Sequence, residues 1–229
     1  GCEVYMARRK MTDRVHGLDN DPYHLVLLCE NQKGYENLCY LVSEAFLHGF
    51  YGKPRVDLEL LEGHHEGLIA LSACLAGAIP QALMNENYDE AKRMALELSR
   101  IFGPEHFYLE MQDHGIDKQR PVNQGLQRLA RETGLPLVAT NDAHYLRRED
   151  ADMQDVLLCI QTGKTVDDLN RMRFETQEFY LKSEQELRQL FPGCDEAFDN
   201  TVKIAQMCNV DFTFHEYHLP AYPVPEGYT

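Results

Sequence analysis

No apolar run in the 229-residue sequence approaches the roughly 20 residues needed to cross a bilayer. The longest, such as Tyr23-His24-Leu25-Val26-Leu27-Leu28-Cys29, have the length of buried strands, so a soluble protein with no membrane partner is expected. Basic residues are scarce: 22 Lys and Arg stand against 37 Asp and Glu, a formal net charge of −15. Binding along DNA is driven by counterions released to a basic surface, so nucleic acid is not gripped along the general surface. Such acidity keeps a cytosolic protein soluble, and a local basic patch or bound cations leave room for a phosphate pocket. C-x-x-C pairs are absent, and the seven cysteines at 2, 29, 39, 74, 159, 194 and 208 form an odd, scattered set. That excludes a disulfide framework and fits a reducing cytoplasm. Walker, G-x-G-x-x-G and G-x-S-x-G motifs are also missing, which removes nucleotide-loop and serine-hydrolase readings. There is no internal repeat or low-complexity tract.

What is present is a globular composition, 44% hydrophobic and 26% charged, organised as alternating strands and helices. Strands are expected at the opening residues, at 23–29, 68–72, 107–111 and 135–140, with a polar loop over 8–20. Helices are expected at 33–50, 75–84, 88–102 with Asn87 as N-cap, 119–133 closed by Gly134, and 148–159. A Gly/Asp/Asn-rich loop follows at 162–171, then a short extended piece at Phe179-Tyr180-Leu181 and helices near 183–190 and 194–208. Alternation of this kind predicts an α/β fold with a mostly parallel sheet, open or closed into a barrel. Gly1 to Ala7 read as a strand already under way, and Leu219 to Thr229 as an extended linker; both ends read as cut.

In parallel α/β folds, active sites gather at the carboxyl ends of strands. Strand 68–72 runs into Ala73-Cys74, strand 107–111 into Gln112-Asp113-His114-Gly115, and strand 135–140 into Asn141-Asp142-Ala143-His144-Tyr145. Asp142 and His144, two apart on an extended segment, would project to one side and converge on one cation. A carboxylate and an imidazole suit zinc, iron or manganese; the competing reading is a capped loop beside a solvated histidine. Cys74 alone reads as a small core residue, and His24 as a satisfied histidine at a sheet edge. Glu3 lies within an apolar strand, where a carboxylate needs a partner. Asp113-His114 would support a neighbouring ligand or only shape a turn with Gly115. His64-His65 and His215-x-x-His218 read as solvated.

Four segments then resemble successive motifs of the PHP (polymerase and histidinol phosphatase) domain. They are Gly1-Cys2-Glu3-Val4-Tyr5, Tyr23-His24-Leu25-Val26-Leu27-Leu28, Leu71-Ser72-Ala73-Cys74-Leu75-Ala76-Gly77 and Ala139-Thr140-Asn141-Asp142-Ala143-His144-Tyr145. Three more look like the version at the amino end of bacterial replicative DNA polymerase III alpha subunits. These are Tyr108-Leu109-Glu110-Met111-Gln112-Asp113-His114-Gly115, Asp155-Val156-Leu157-Leu158-Cys159-Ile160-Gln161-Thr162-Gly163-Lys164 and Asn170-Arg171-Met172-Arg173-Phe174. The resemblance implies an incomplete distorted (β/α)7 barrel lacking its first strands, with a metal cluster at its mouth. Residues 1–160 would be the partial barrel, 161–212 its C-terminal helical part, and 213–229 a linker toward a polymerase core. Carried over by position, the resemblance implies Glu3, His24, Cys74, Asp142 and His144 as metal ligands, for zinc or manganese. Magnesium, DNA and deoxynucleotides belong to the polymerase core, and other replisome subunits, such as the proofreading subunit, are implied partners. The implied local chemistry is 3′–5′ exonuclease or phosphoesterase cleavage, with no catalytic base assigned. The family's H-x-H and its later D-H-G would lie before Gly1, removing about four of roughly nine ligands and weakening metal binding. Two alternatives stand beside this reading: a free-standing PHP phosphoesterase and a non-catalytic replisome scaffold.

Overall fold

The computed structural model describes residues 1–217, 219 and 222–227. Its strands are β1 (Cys2–Met6), β2 (Tyr23–Cys29), β3 (Arg55–Val56), β4 (Leu68–Leu71), β5 (Phe107–Met111) and β6 (Leu137–Ala139). The helices are α1 (Gln32–Leu47), α2 (Leu58–Gly63), α3 (Ala78–Met84), α4 (Tyr88–Phe102), α5 (Gln119–Thr133), α6 (Ala151–Thr162), α7 (Glu184–Leu190) and α8 (Asp195–Met207). A 3-10 turn at Arg148–Asp150 leads into α6. The expected linker over 213–229 and the pair His215-x-x-His218 lie partly outside the described residues.

The strands form one sheet in the order β3-β1-β2-β4-β5-β6. β2 is antiparallel to both β1 and β4, and the remaining pairs are parallel. The sheet is therefore mostly parallel, with β2 alone reversed, and it is compatible with a PHP-type barrel. The reversal decides where side chains meet: the start of β2 lies beside the carboxyl ends of its neighbours, as the pairs Tyr5↔His24 and Val26↔Leu71 fix.

Helix periodicity explains the covered face. In α4, Ala91, Met94, Ala95, Leu98, Ile101 and Phe102 are buried at the three- and four-residue spacing of one helical stripe. The Asn87 side chain accepts from Glu90 N at this helix's start, and Asp89, Glu90 and Arg100 suit its dipole. α5 buries Val122, Leu126 and Leu129 and ends at Gly134, whose left-handed φ of 74° closes it. These helices, with α1 and α3, pack on Leu25, Leu27, Ala70, Phe107, Leu109, Met111 and Ala139. The opposite face has a smaller cluster of Ile69, Leu71, Tyr108 and Val138, covered by Ile204 of α8. Asn200 secures α8 by donating from Nδ2 to Leu137 O at 2.7 Å.

Two elements had no sequence expectation, β3 and α2. β3 is held by Arg55, which is completely buried. Its guanidinium donates to the carbonyls of Gly49, Asp19, Met11 and Asp13 at 2.7–3.0 Å. The last three acceptors lie in the 8–20 loop and organise it, since it has no strand or helix of its own. Asp57 caps α2 by accepting from Leu60 N and also accepts from Met11 N.

Candidate metal centre

Glu3 and His24 alternate with the core-facing Val4 and Leu25, so both project from the less covered face of the sheet. Glu3 Oε2 lies 3.2 Å from His24 Nδ1. Cys74 reaches the same nitrogen, with Sγ at 3.6 Å. It does so because the chain turns sharply after β4. Ala73 adopts a left-handed φ of 62°, Gly77 N bonds to Cys74 O, and His24 N bonds to Ala76 O at 3.0 Å. A Cβ on Gly77 would stand 2.1 Å from Ser72 O, so this turn admits only glycine there. The turn also explains why the helix expected from Leu75 begins at Ala78.

The ligand atoms of Glu3, His24 and Cys74 lie within 4.8 Å of one another. The Cys74 sulfur, then the Glu3 carboxylate, raises the His24 imidazole from 6.5 to about 10 against the opposing effect of burial. The hydrogen bond from His24, more than any other influence, lowers Glu3. A carboxylate and a thiol thus face the imidazole from two sides. Carboxylate, imidazole and thiolate together match the donor types of zinc.

Asp142 and His144 arrive differently. β6 ends at Ala139, and Asp142 has a left-handed φ of 43°, so the expected extended D-x-H geometry is corrected. The pair still meet, with His144 Nδ1 4.0 Å from Asp142 Oδ1 and 2.9 Å from Asp142 O. They are not within the Glu3–His24–Cys74 group, although the charge of His144 adds a small part to the lowering of Glu3.

The loop is held from outside. His144 N donates to Phe179 O at 2.8 Å, and Asn141 exchanges two hydrogen bonds with the Lys182 backbone. His114, left open by the sequence, is buried and supports this loop. Gln119 Nε2 donates to His114 Nδ1 at 2.8 Å, which leaves Nε2–H to donate to Asn141 O at 2.7 Å. Burial lowers the His114 pKa, consistent with the neutral ring these bonds require. The ring stacks on Phe179 at 4.2 Å. Asp113 instead shapes the turn, accepting from Gly115 N. His64 packs on Tyr40 and His65 on its own helix end.

Glu110 and Gln112 were passed over in the sequence. Glu110 is a carboxylate in an otherwise apolar strand, the same signal that singled out Glu3. Its Oε1 accepts from Thr140 Oγ1 at 2.5 Å and Gln112 Nε2 at 3.0 Å.

The family model for the PHP domain matches residues 1–114. The DNA polymerase III subunit alpha of Thermus aquaticus is 47% identical over 237 residues, covering 100% of this chain and 19% of that protein. Its counterpart in Treponema pallidum (strain Nichols) is 46% identical over 230 residues, covering 100% of this chain and 20% of that protein. The one in Borreliella burgdorferi is 46% identical over 228 residues, covering 98% and 20%. The chain spans about a fifth of the length of these relatives. The folded strands and the ordered motifs agree with these matches: over residues 1–114 the chain belongs to the PHP domain family.

Proposed function

We propose that the chain is the PHP module of a bacterial DNA polymerase III alpha subunit, and that Glu3, His24, Cys74, Asp142 and His144 form a divalent-metal centre suited to phosphoester or 3′–5′ exonucleolytic cleavage. The convergence of the Glu3, His24 and Cys74 ligand atoms within 4.8 Å carries the metal reading. Zinc suits the thiolate, and manganese is the alternative. Lewis acidity toward a phosphate oxygen is what such a cation supplies. The chain's own part is to hold the donors in place, with Asn141 and His114 fixing the second loop. In this reading the sheet belongs to a distorted (β/α)7 barrel over 1–160, continued by 161–212, with 213–229 leading to a polymerase core. DNA, deoxynucleotides and magnesium are served by that core, and replisome subunits, including a proofreading subunit, are its partners in the cytoplasm.

A scaffold role has one observation in its favour. Met153, Val156, Leu157 and Ile160 are exposed at the spacing of a single row along α6.

The test is zinc loading, desalting and elemental analysis of the chain, of Cys74→Ala, and of the double variant Asp142→Ala/His144→Ala. Zinc kept by the unmodified chain and reduced in both variants supports the centre; 3′-labelled single-stranded DNA then reports cleavage. Zinc absent from all three, or equal in all three, sinks it.

A further inference from the structure

β5 runs between the strands that lead into Cys74 and Asp142, yet it carries none of the five candidate ligands. It carries Glu110, which is only 5% exposed. A buried carboxyl is unfavourable unless hydrogen bonds satisfy it, and here the satisfaction is incomplete. Among the described residues, Oε2 has no hydrogen-bond partner, and neither does Oε1 of neighbouring Gln112. An apolar residue would serve the strand better, so the carboxyl's use lies in what it holds.

Glu110 lies between the two ligand-bearing strand ends and is bonded to both, by its backbone on one side and its carboxyl on the other. On one side, the Glu110 backbone N–H donates to Ser72 Oγ at 2.8 Å, one residue before Ala73. Ala73 is the left-handed residue immediately before Cys74. On the other side, Thr140, two residues before Asp142, donates to Oε1 at 2.5 Å. Gln112 ties both together, donating from Nε2 to Glu110 Oε1 and to Thr140 Oγ1 at 3.3 Å. The same two side chains line a small void, about 10 Å³, beneath Cys74.

We infer that Glu110 is a positioning residue for the metal centre: its carboxyl holds the Asp142 strand end through Thr140 and Gln112, across β5 from the Cys74 strand end that its backbone holds at Ser72. The inference rests on the metal reading above. Supporting partners outside the ligand set typically govern about 10- to 100-fold in metal affinity.

The experiment uses cobalt(II) as a spectroscopic probe on the full chain and on Glu110→Leu and Glu110→Gln. The readouts are the thiolate-to-cobalt charge-transfer band, the cobalt Kd, and Tm in chelator. Glu110→Leu is expected to weaken cobalt binding by about tenfold or more, with Tm in chelator unchanged or higher because the buried carboxyl is gone. Glu110→Gln keeps an acceptor for Thr140 and is expected to retain more of the affinity than Glu110→Leu, and it also serves if the leucine variant does not fold. Unaltered cobalt affinity in both variants, or losses that only track a fall in Tm, overturns the positioning role while leaving the metal reading intact. No charge-transfer band in the unmodified chain overturns the metal reading itself, and the inference with it.

Discussion

The two halves of the candidate centre are placed by different physical means. Glu3 and His24 stand on paired strands, where the register Glu3↔Val26 and Tyr5↔His24 fixes their separation, and Cys74 follows within one tight turn. Asp142 and His144 stand on a loop past the end of β6, and their positions depend on partners far along the chain: His114, Phe179 and Lys182. Exposure does not separate the halves, since the side chains of Glu3 and His144 are 42% and 39% accessible. What separates them is the source of order. Ladder hydrogen bonds place the first half as a by-product of folding, whereas the second needs hydrogen bonds made for that purpose.

The largest expected effect breaks the first half. Cys74→Ala removes the donor that most affects His24 and is expected to lower zinc affinity by more than about 100-fold, beyond the range for a supporting partner. Competition with a chromophoric chelator measures it, and a loss below tenfold would mean that the strand half does not dominate.

His114→Ala tests the second half. It leaves the Gln119 amide and Asn141 carbonyl without their partner, at a cost of about 1–3 kcal/mol. Urea unfolding in chelator should show a larger loss for this variant than for His144→Ala. Equal losses would mean that the loop does not depend on the buried ring.

Asp142→Gly sharpens the contrast from the other direction. The left-handed φ of 43° costs a non-glycine residue roughly 1 kcal/mol, so glycine should stabilise the metal-free chain by up to about that amount while weakening metal binding. A variant that is less stable without metal would show that the Asp142 side chain contributes to the fold as well.

The smallest effect concerns pH. His24 is raised to about 10, so its contribution to metal-free stability is full below about 6.5 and lost as pH rises through about 10. Urea midpoints at pH 7 and pH 10 should therefore fall further apart in the unmodified chain than in His24→Gln. Identical differences would show that no proton is shared at this point.

Much of this was legible in the sequence because it was local. The apolar stripe of α4 with its Asn87 cap, and the Gly134 stop of α5, are each written within a single helix. The direction of β2 is not, because hydropathy is the same whichever way a strand runs; that reversal is what brings His24 to its neighbours' carboxyl ends. β3 escaped because two residues carry no periodicity, and Arg55 gives no sign of the four distant carbonyls it serves. The Asp142-x-His144 pair was visible as chemistry but misread as extended backbone, since the loop is held by the bonds of Asn141 to the Lys182 backbone and of His144 N to Phe179 O, both far along the chain. Glu110 was visible in principle: a carboxylate amid Phe107, Tyr108, Leu109 and Met111 is as unusual as Glu3.

Arg55 has a kinetic consequence. Its guanidinium joins carbonyls up to 44 residues earlier in the chain, so the segment between β1 and β2 cannot acquire its final shape until β3 has docked. Contacts of that sequence separation form late and open together. The amides of the 8–20 segment and those around Arg55 should therefore act as one clock, gaining protection from hydrogen exchange together and after the central strands have closed.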